Sequence, residues 1–515
     1  MGVLTAAPRR VVLEEKTPLS HSMLWRLQRA YFDGRGVRAW NESVVPHYIT
    51  SNPWIAESYA NTVLGWLRDI APFVDRTAPV PILELGCGNG RFGWHFVRAL
   101  LRLFDSGALP GVRVRYVYTD FTDANLDVLR SHPSLQPYID AGVVAFARFD
   151  AESSGELPEA NGNPVAVIAN YVFDGIPMDL FRAENGRLVE LLPRIEAPAN
   201  TAPDEEDLLA KISVTFRRGR AVRRRYADPS WNAILDAYRA IDGASVVFPT
   251  AALTLLRNLR ERSGGRLLLL SGDKGFTGLP APDTTDQAYI ALHGSVSFAV
   301  NYHALGAWTT AHGGVFLHTT NDRSPLPVVA CLFDRGDTAF AETRLAFAQH
   351  IERRGPADFF AVKRGVEQQY GAFAFDDLVA YLRFTGWDPV VFLGAFRTLL
   401  RYAENGDSVT RETLRDVARN VGAEYFPLLE RDDLYFHLGM VMMSARDGAE
   451  ALAWFQRSLD LRGPDAATLT HMALCHGLVA QWREARACLR NALALEPDHE
   501  EARELLAKLT RRRRN

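Results

Sequence analysis

Apolar residues recur along this chain with two different periods. Over residues 55–70 they fall at three- and four-residue steps, through Ala56, Tyr59, Val63, Leu64 and Leu67, which predicts an amphipathic helix. A shorter helix is predicted over 21–32, where Leu24, Leu27 and Tyr31 share a face; Gly34, Gly36, Pro46 and Pro53 then punctuate the backbone. From residue 80 the pattern changes to short apolar runs separated by helical stretches. Strands are predicted at 81–85, 112–119, 143–149, 165–169, 266–270 and 315–318, and helices at 91–104 and 124–131. Strands alternating with helices predict a mostly parallel sheet covered on both faces. The acidic, Pro- and Ala-rich segment 193–207 reads as a surface loop, and the basic, alternating stretch 214–226 as a hairpin arm. Beyond about residue 330 the strand signal fades, and helices dominate from 337 to the end.

The last part of the chain is periodic. Ala451 recurs as Ala485, Phe455 as Leu489, Ser458 as Ala492 and Gly439 as Ala473, each at an offset of 34 residues. That period, with small residues where helices touch, is the signature of tetratricopeptide repeats. Two copies alone bury too little surface, so helices at about 375–430 are expected to stack beneath them. The expected organisation is an N-terminal helical arm or lid at 1–60, an α/β domain at 61–325 with an insertion at about 190–245, a helical linker domain at 326–430, and repeats at 431–510.

Composition narrows the classes. The formal net charge of −3 over 515 residues gives no global reason to expect nucleic acid or an anionic membrane as partner, and the run at 511–514 reads as a solvated tail. No run approaches the ~18 apolar residues of a membrane span, and the start lacks a secretory apolar core. Cys87, Cys331, Cys475 and Cys488 are far apart and form no CxxC pair, so no metal site is expected, and free thiols in a reducing cytoplasm are.

The chemistry concentrates at Glu84-Leu-Gly86-Cys-Gly88-Asn-Gly90, which follows a strand and opens a helix. Glycines without side chains let the backbone turn sharply and touch a ligand, at a helix N-terminus rich in free N–H groups. Gly88, Gly90 and Gly93 also satisfy the GxGxxG dinucleotide pattern. Glu84 and the earlier Gly86 instead make the run resemble the first motif of class I S-adenosylmethionine (SAM) dependent methyltransferases. That resemblance implies a Rossmann-like sheet, a loop wrapping the methionine half of SAM, and an acid, Glu84, near its amino end. Asp120 ends the next strand, where an acid can accept hydrogen bonds from both ribose hydroxyls. The same resemblance puts Phe121 beside the adenine and Asp150 against its amino group. Asp120 and Asp150 can also be read as helix caps after a strand.

The fourth strand ends at Ala169-Asn170-Tyr171-Val-Phe-Asp174-Gly-Ile-Pro177, where the methyl group should face. Here the chain resembles the MidA family, whose mitochondrial members methylate protein arginine during complex I assembly. That family typically reads Asn-Glu-x-x-Asp-Ala-x-Pro; Asn170, Asp174 and Pro177 match, and Tyr171 stands in place of the glutamate. Thr50-Ser51 and, more loosely, the segment around Asn301 and His303 extend the likeness over roughly 25–325. Asn170, Tyr171 and Asp174 are the expected acceptor-side residues. Methylating a guanidinium calls for carboxylates that hold the cation through bidentate bonds; Asp174 remains, and Tyr171 could stack on a guanidinium or position another nucleophile. His293 and His303 are candidate bases for a hydroxyl or carboxylate substrate, or hydrogen-bonded structural residues; Asp273 is a candidate for the pocket lining or a turn, and Tyr48 and Trp54 for a cover over the cofactor or for core anchors.

The expectation is a SAM-dependent methyltransferase acting on a protein, with arginine as the candidate acceptor, the partner being recruited by the repeats. Three alternatives stand beside it: a small-molecule methyltransferase, a non-catalytic SAM-binding scaffold or assembly factor, and, from GxGxxG alone, an NAD(P) oxidoreductase.

Overall fold

The computed structural model describes residues 9–36, 48–153, 155–201, 208–282, 290–292, 295–320, 326–428 and 430–511. It divides into two compact units, residues 1–360 and 361–515. In chain order the first unit holds β1 (Arg10–Glu15), α1 (Met23–Arg35), α2 (Pro53–Ile70), β2 (Val80–Glu84), α3 (Arg91–Asp105), β3 (Val114–Asp120), α4 (Asp123–Arg130), β4 (Val144–Arg148) and β5 (Val165–Asn170). Then follow β6 (Asp179–Glu184), β7 (Arg187–Pro198), β8 (Ser213–Val222), α5 (Pro229–Ala237), β9 (Ser245–Phe248), α6 (Thr250–Arg262) and β10 (Leu267–Gly272). Four short strands, β11 (Gly275–Phe276), β12 (Ile290–Leu292), β13 (Val296–Phe298) and β14 (Val300–Asn301), precede α7 (Tyr302–Ala311), β15 (Val315–His318), β16 (Val328–Phe333) and α8 (Ala341–Phe347).

The main sheet has the order β15-β16-β10-β5-β2-β3-β4. The five strands from β10 to β4 are parallel, whereas β16 runs antiparallel to both of its neighbours. Every residue of β2 and of β10 is buried, as expected of strands covered on both faces. On one face Leu83, Val117, Val167 and Leu269 join a core with Leu253, Leu256 and Leu259 of α6 and Leu305 and Trp308 of α7. On the other, α3 lies so close that a Cβ on Gly93 would sit 2.5 Å from Tyr118 and 2.7 Å from Tyr116, and Phe96 packs on Tyr116 with ring centroids 5.3 Å apart.

The sheet extends past the boundary expected at 325. Val328–Phe333, where the strand signal was expected to fade, is a fully buried strand; its uniform apolarity carries no period, so it hides among helical patterns. The boundary expected at 60 likewise falls inside α2.

A second, antiparallel sheet has the order β1-β7-β6-β9, with β8 added along β7. It takes in the expected insertion. The segment read as a loop from 193 is, up to Pro198, the second half of β7. Its inward positions alternate through Leu191, Ile195 and Ala197, while Arg194 and Glu196 face outward; the alternation outweighs the Pro-rich composition. The predicted basic arm is β8, paired antiparallel with β7 from Ser213 to Val222. Helix α1 closes on this sheet through Leu24 and Trp25, which share a core with Leu180, Leu191 and Phe298.

The second unit contains α9 (Phe375–Phe384), α10 (Pro389–Asn405), α11 (Ser408–Ala423), α12 (Leu434–Ser444), α13 (Gly448–Arg462), α14 (Ala466–Leu478), α15 (Trp482–Leu495) and α16 (Glu500–Arg511). Asp388, Asp407, Asp433, Asp447 and Asp465 each cap a helix N-terminus by accepting from backbone N–H groups. Residues related by the 34-residue offset are buried: Ala451 and Phe455 on α13 and Ala485, Leu489 and Ala492 on α15 share one core, and Ser458 on α13 is buried as well. Gly439 lets α12 approach α13, since a Cβ there would fall 2.7 Å from the Phe455 ring.

All four cysteines are free thiols. Among the described residues no cluster of side chains could hold a metal ion, and no helix is long and apolar enough to cross a membrane.

Candidate functional site

The carboxyl ends of β2, β3, β5 and β10 open into a cleft of about 170 Å³, the place where open α/β sheets receive ligands. The loop after β2 forms its first wall. Gly86, Gly88 and Gly90 all have positive φ, at 60°, 52° and 73°, a region that L side chains rarely enter. Gly86 lines the cleft. Gly88 and Gly90 do not line it but shape the turn: Gly88 donates its N–H to Asp120 at 3.3 Å, and a Cβ on Gly90 would strike Leu129.

Glu84, expected beside the ligand, lies one layer beneath the loop. It is buried between the sheet and α3, where the Tyr116 hydroxyl donates to it at 2.8 Å. Burial pushes its acid up to about 8, so it is largely protonated at neutral pH.

Asp120 lines the cleft and is almost fully buried. One oxygen accepts from Gly88 N–H and Asn125 Nδ2, the other from Thr122 N–H and hydroxyl. Burial raises its acid, and these donors work against the rise. Its acceptor positions are therefore already engaged; a ligand hydroxyl would replace the mobile donors, Thr122 Oγ1 and Asn125 Nδ2.

Phe121 and Asp150 line the cleft together with Arg29 of α1. The Arg29 guanidinium lies 4.7 Å from the centroid of the Phe121 ring, pairs with Asp150 at 2.6 Å and reaches Glu152 at 2.9 Å. Burial works to raise the acid of Asp150, but the hydrogen bonds from Arg29 and Glu152 N–H outweigh it and hold Asp150 below the usual range. At Glu152 desolvation outweighs Arg29 and holds the acid above its usual range. Sequence reasoning did not find Arg29 or Gln28. The available signal was their position: Leu24 and Gln28 are one turn apart and both buried, which puts a polar group on the inward face of α1.

At the other end of the cleft stand Tyr171, Asp174 and Lys274. Tyr171 has φ of 52°, a strained setting for a bulky residue, and its N–H donates to Gly272 O. Asn170, the third expected acceptor-side residue, does not line the cleft. Its Oδ1 accepts from Tyr59 Oη at 2.9 Å and Gly272 N–H at 3.0 Å, tying β5 to α2 and β10. Asp273 lies directly behind Asp174, whose backbone N–H donates to Asp273 Oδ2 at 3.0 Å. Both acids are raised: Asp174 to about 7, by burial against the pull of Lys274, and Asp273 well above its usual range, by burial and by Asp174.

Gln28 ties α1 to the loop after β5 and to β13. Its Nε2 donates to Gly175 O at 2.9 Å, and its Oε1 accepts from Val296 N–H.

The remaining expected candidates fall elsewhere. His303 bonds to Tyr238 Oη at 2.8 Å and lies outside the cleft; His293 is outside the described residues. Trp54 stacks on Phe359 and Tyr48 meets Phe360 edge-on, so both anchor packing and neither covers the cleft. Thr50 and Ser51 are buried apart from it.

No family model matches the chain, and no curated protein matches it. Among solved structures, an uncharacterised protein from Burkholderia thailandensis aligns at 16% identity with a TM-score of 0.42, over 64% of this chain and 89% of that one. A member of the same superfamily from the same organism, solved with S-adenosyl-homocysteine bound, aligns at 15% identity with a TM-score of 0.40, over 65% and 90%. The magnesium protoporphyrin IX methyltransferase of Synechocystis PCC 6803, also with S-adenosyl-homocysteine, aligns at 10% identity with a TM-score of 0.29, over 59% and 98%.

Proposed function

We propose that this chain is a SAM-dependent methyltransferase of the class I, Rossmann-like type, and that the cleft holds SAM. The observation that carries the reading is the convergence of Gly86, Asp120, Phe121 and Asp150, from the ends of three successive parallel strands, on one wall of one cleft. Gly86 would admit the methionine half, Asp120 the ribose hydroxyls, and Phe121 with Asp150 the adenine. Glu84 acts through the loop, as the buried support beneath it. The activated methyl belongs to the donor; the protein's part is to orient it toward Tyr171 and Asp174 and to exclude water. The dinucleotide alternative is disfavoured by the sheet. A dinucleotide fold continues in parallel beyond its fifth strand, whereas here β16 turns antiparallel.

The acceptor is proposed to be presented by a protein in the cytoplasm. The 34-residue pattern of buried small residues supports a tetratricopeptide-like module at 431–510, a kind of surface suited to peptide segments.

Calorimetric titration of the purified chain with SAM, S-adenosyl-homocysteine and NADH tests the cofactor. SAM should bind in preference to NADH, and Asp120→Ala should weaken it by roughly 1–3 kcal/mol, the worth of lost hydrogen bonds to a charged group. A folded protein that binds NADH but not SAM would overturn the reading. Transfer of labelled methyl into cell extract, with the full chain and with residues 361–515 removed, tests whether the helical unit delivers the acceptor.

A further inference from the structure

Asp174 and Asp273 are 99 residues apart in sequence, yet meet at the ends of adjacent strands β5 and β10. Asp273 is 0% exposed and Asp174 is 8% exposed, with one edge on the cleft. The Asp174 N–H donates to Asp273 Oδ2 at 3.0 Å and the N–H of Lys274 donates to Asp273 Oδ1 at 2.8 Å, which places the two buried carboxyls as close neighbours. Two carboxyls buried side by side resist ionising together, because like charges are poorly screened there; up to near neutral pH they share one proton and carry one negative charge between them. The other charged or titratable groups facing them are Lys274 on the loop after β10, Tyr171 after β5, Tyr59 on α2 and Tyr302 on α7. The tyrosines are pushed further toward neutrality by burial. One shared negative charge and one lysine cation therefore leave this end of the cleft close to neutral.

We propose that Asp174 and Asp273 work as a single proton-holding pair at the reacting end of the cleft, and that the acceptor is an uncharged protic group, a hydroxyl or a neutral nitrogen, not a guanidinium. This rests on the methyltransferase reading. In the step, the acceptor atom forms its bond to the methyl carbon as the carbon–sulfur bond of the sulfonium donor breaks, and that electron pair stays on sulfur. The acceptor's proton passes to Asp174, the one open basic position of the pair. Asp273 touches no substrate and is a positioning residue, holding Asp174 through its N–H and the shared proton. A guanidinium would bring a second cation beside the sulfonium with no free carboxylate fork to receive it.

Two measurements test this. Infrared difference spectroscopy of the full chain, without ligand, should show a protonated-carboxyl band that persists to near neutral pH and disappears above it. The band should be lost or moved in Asp174→Asn and in Asp273→Asn; two carboxyls fully ionised by pH 5 would overturn the pair, whether or not SAM binds. Calorimetry then uses SAM, a cation at sulfur, against neutral S-adenosyl-homocysteine, in buffers of different ionisation enthalpy. Below the pair's titration the preference for SAM should fall by up to about tenfold per pH unit, with one proton released on SAM binding, and both variants should flatten that profile. An unchanged profile in Asp273→Asn would remove its positioning role. Finally, N-acetylarginine amide should not bind to the homocysteine-loaded protein; binding that Asp174→Asn abolishes would overturn the uncharged acceptor.

Discussion

Glu84 illustrates how one buried group shapes a site it never touches. Its carboxyl has the ring hydroxyl of Tyr116 as donor and Gly93 of α3 directly above. A side chain at Gly93 would collide with it and with the rings of Tyr116 and Tyr118. Because burial raises the acid from 4.5 to about 8, the native protein keeps a proton that the unfolded chain has already released. Stability therefore falls as pH rises from about 4.5 to about 8, and the acid contributes no further slope above that. Glu84→Gln should remove this slope. Thermal unfolding should show little difference at pH 5 and a gain for the variant of about 2–4 kcal/mol at pH 8; an equal effect at both values would refute the protonated state. The sequence makes Glu84 conspicuous but not its direction. A residue at a strand end points to one face or the other, and only the seating of α3 decides which. The same limit applies to Asn170, which matches a motif yet serves as a tie between strands.

At the scale of elements, α1 brings chemistry that the strand-end pattern does not announce. Its Arg29 occupies the face of Phe121 and the oxygens of Asp150, the two features proposed for adenine. A ligand ring can take that seat only when the guanidinium swings out. The pair is partly exposed, with side chains 37% and 32% accessible, so the contact is worth little more than an ordinary surface ion pair, about 0–1 kcal/mol. Arg29→Ala should therefore tighten S-adenosyl-homocysteine by no more than about fivefold in calorimetry. Weaker binding would instead make Arg29 a direct contact. Among the elements around the cleft, β2, β3, β5 and β10 were legible as short apolar runs and α3 from its stripe. Illegible were β16, whose apolar run borders the helical patterns that follow it, and the second half of β7, where composition speaks against a strand. The partnership of Asp174 with Asp273 was hidden for a third reason, since adjacency of β5 and β10 is a matter of sheet order.

For the whole molecule, each of the two units has a core of its own. Leu378, Leu399, Leu414, Leu438, Phe455 and Leu489 belong to one cluster confined to 361–515, while the sheet's core lies within 1–360. A cluster of that size, with five aspartate caps, is enough to fold alone. A fragment of residues 361–515 should be soluble, show a helical circular dichroism spectrum and unfold cooperatively with heat; a fragment lacking cooperative melting would mean that its core depends on the rest of the chain. Here the sequence foretold helices to the end of the chain, and Ala451 and Ala485, 34 residues apart, are both buried.

The clamp made by Gln28 carries a consequence for the order in which the molecule is built. Gln28 spans to Gly175 and to Val296, partners 147 and 268 residues away in sequence. On the ribosome the first turns of α1 emerge long before either partner exists. Leu24 and Trp25 must wait, exposed, until β7 and β13 arrive to cover them. The cleft therefore cannot be completed by a growing chain shorter than about 300 residues, and nascent fragments below that length are the ones expected to engage chaperones.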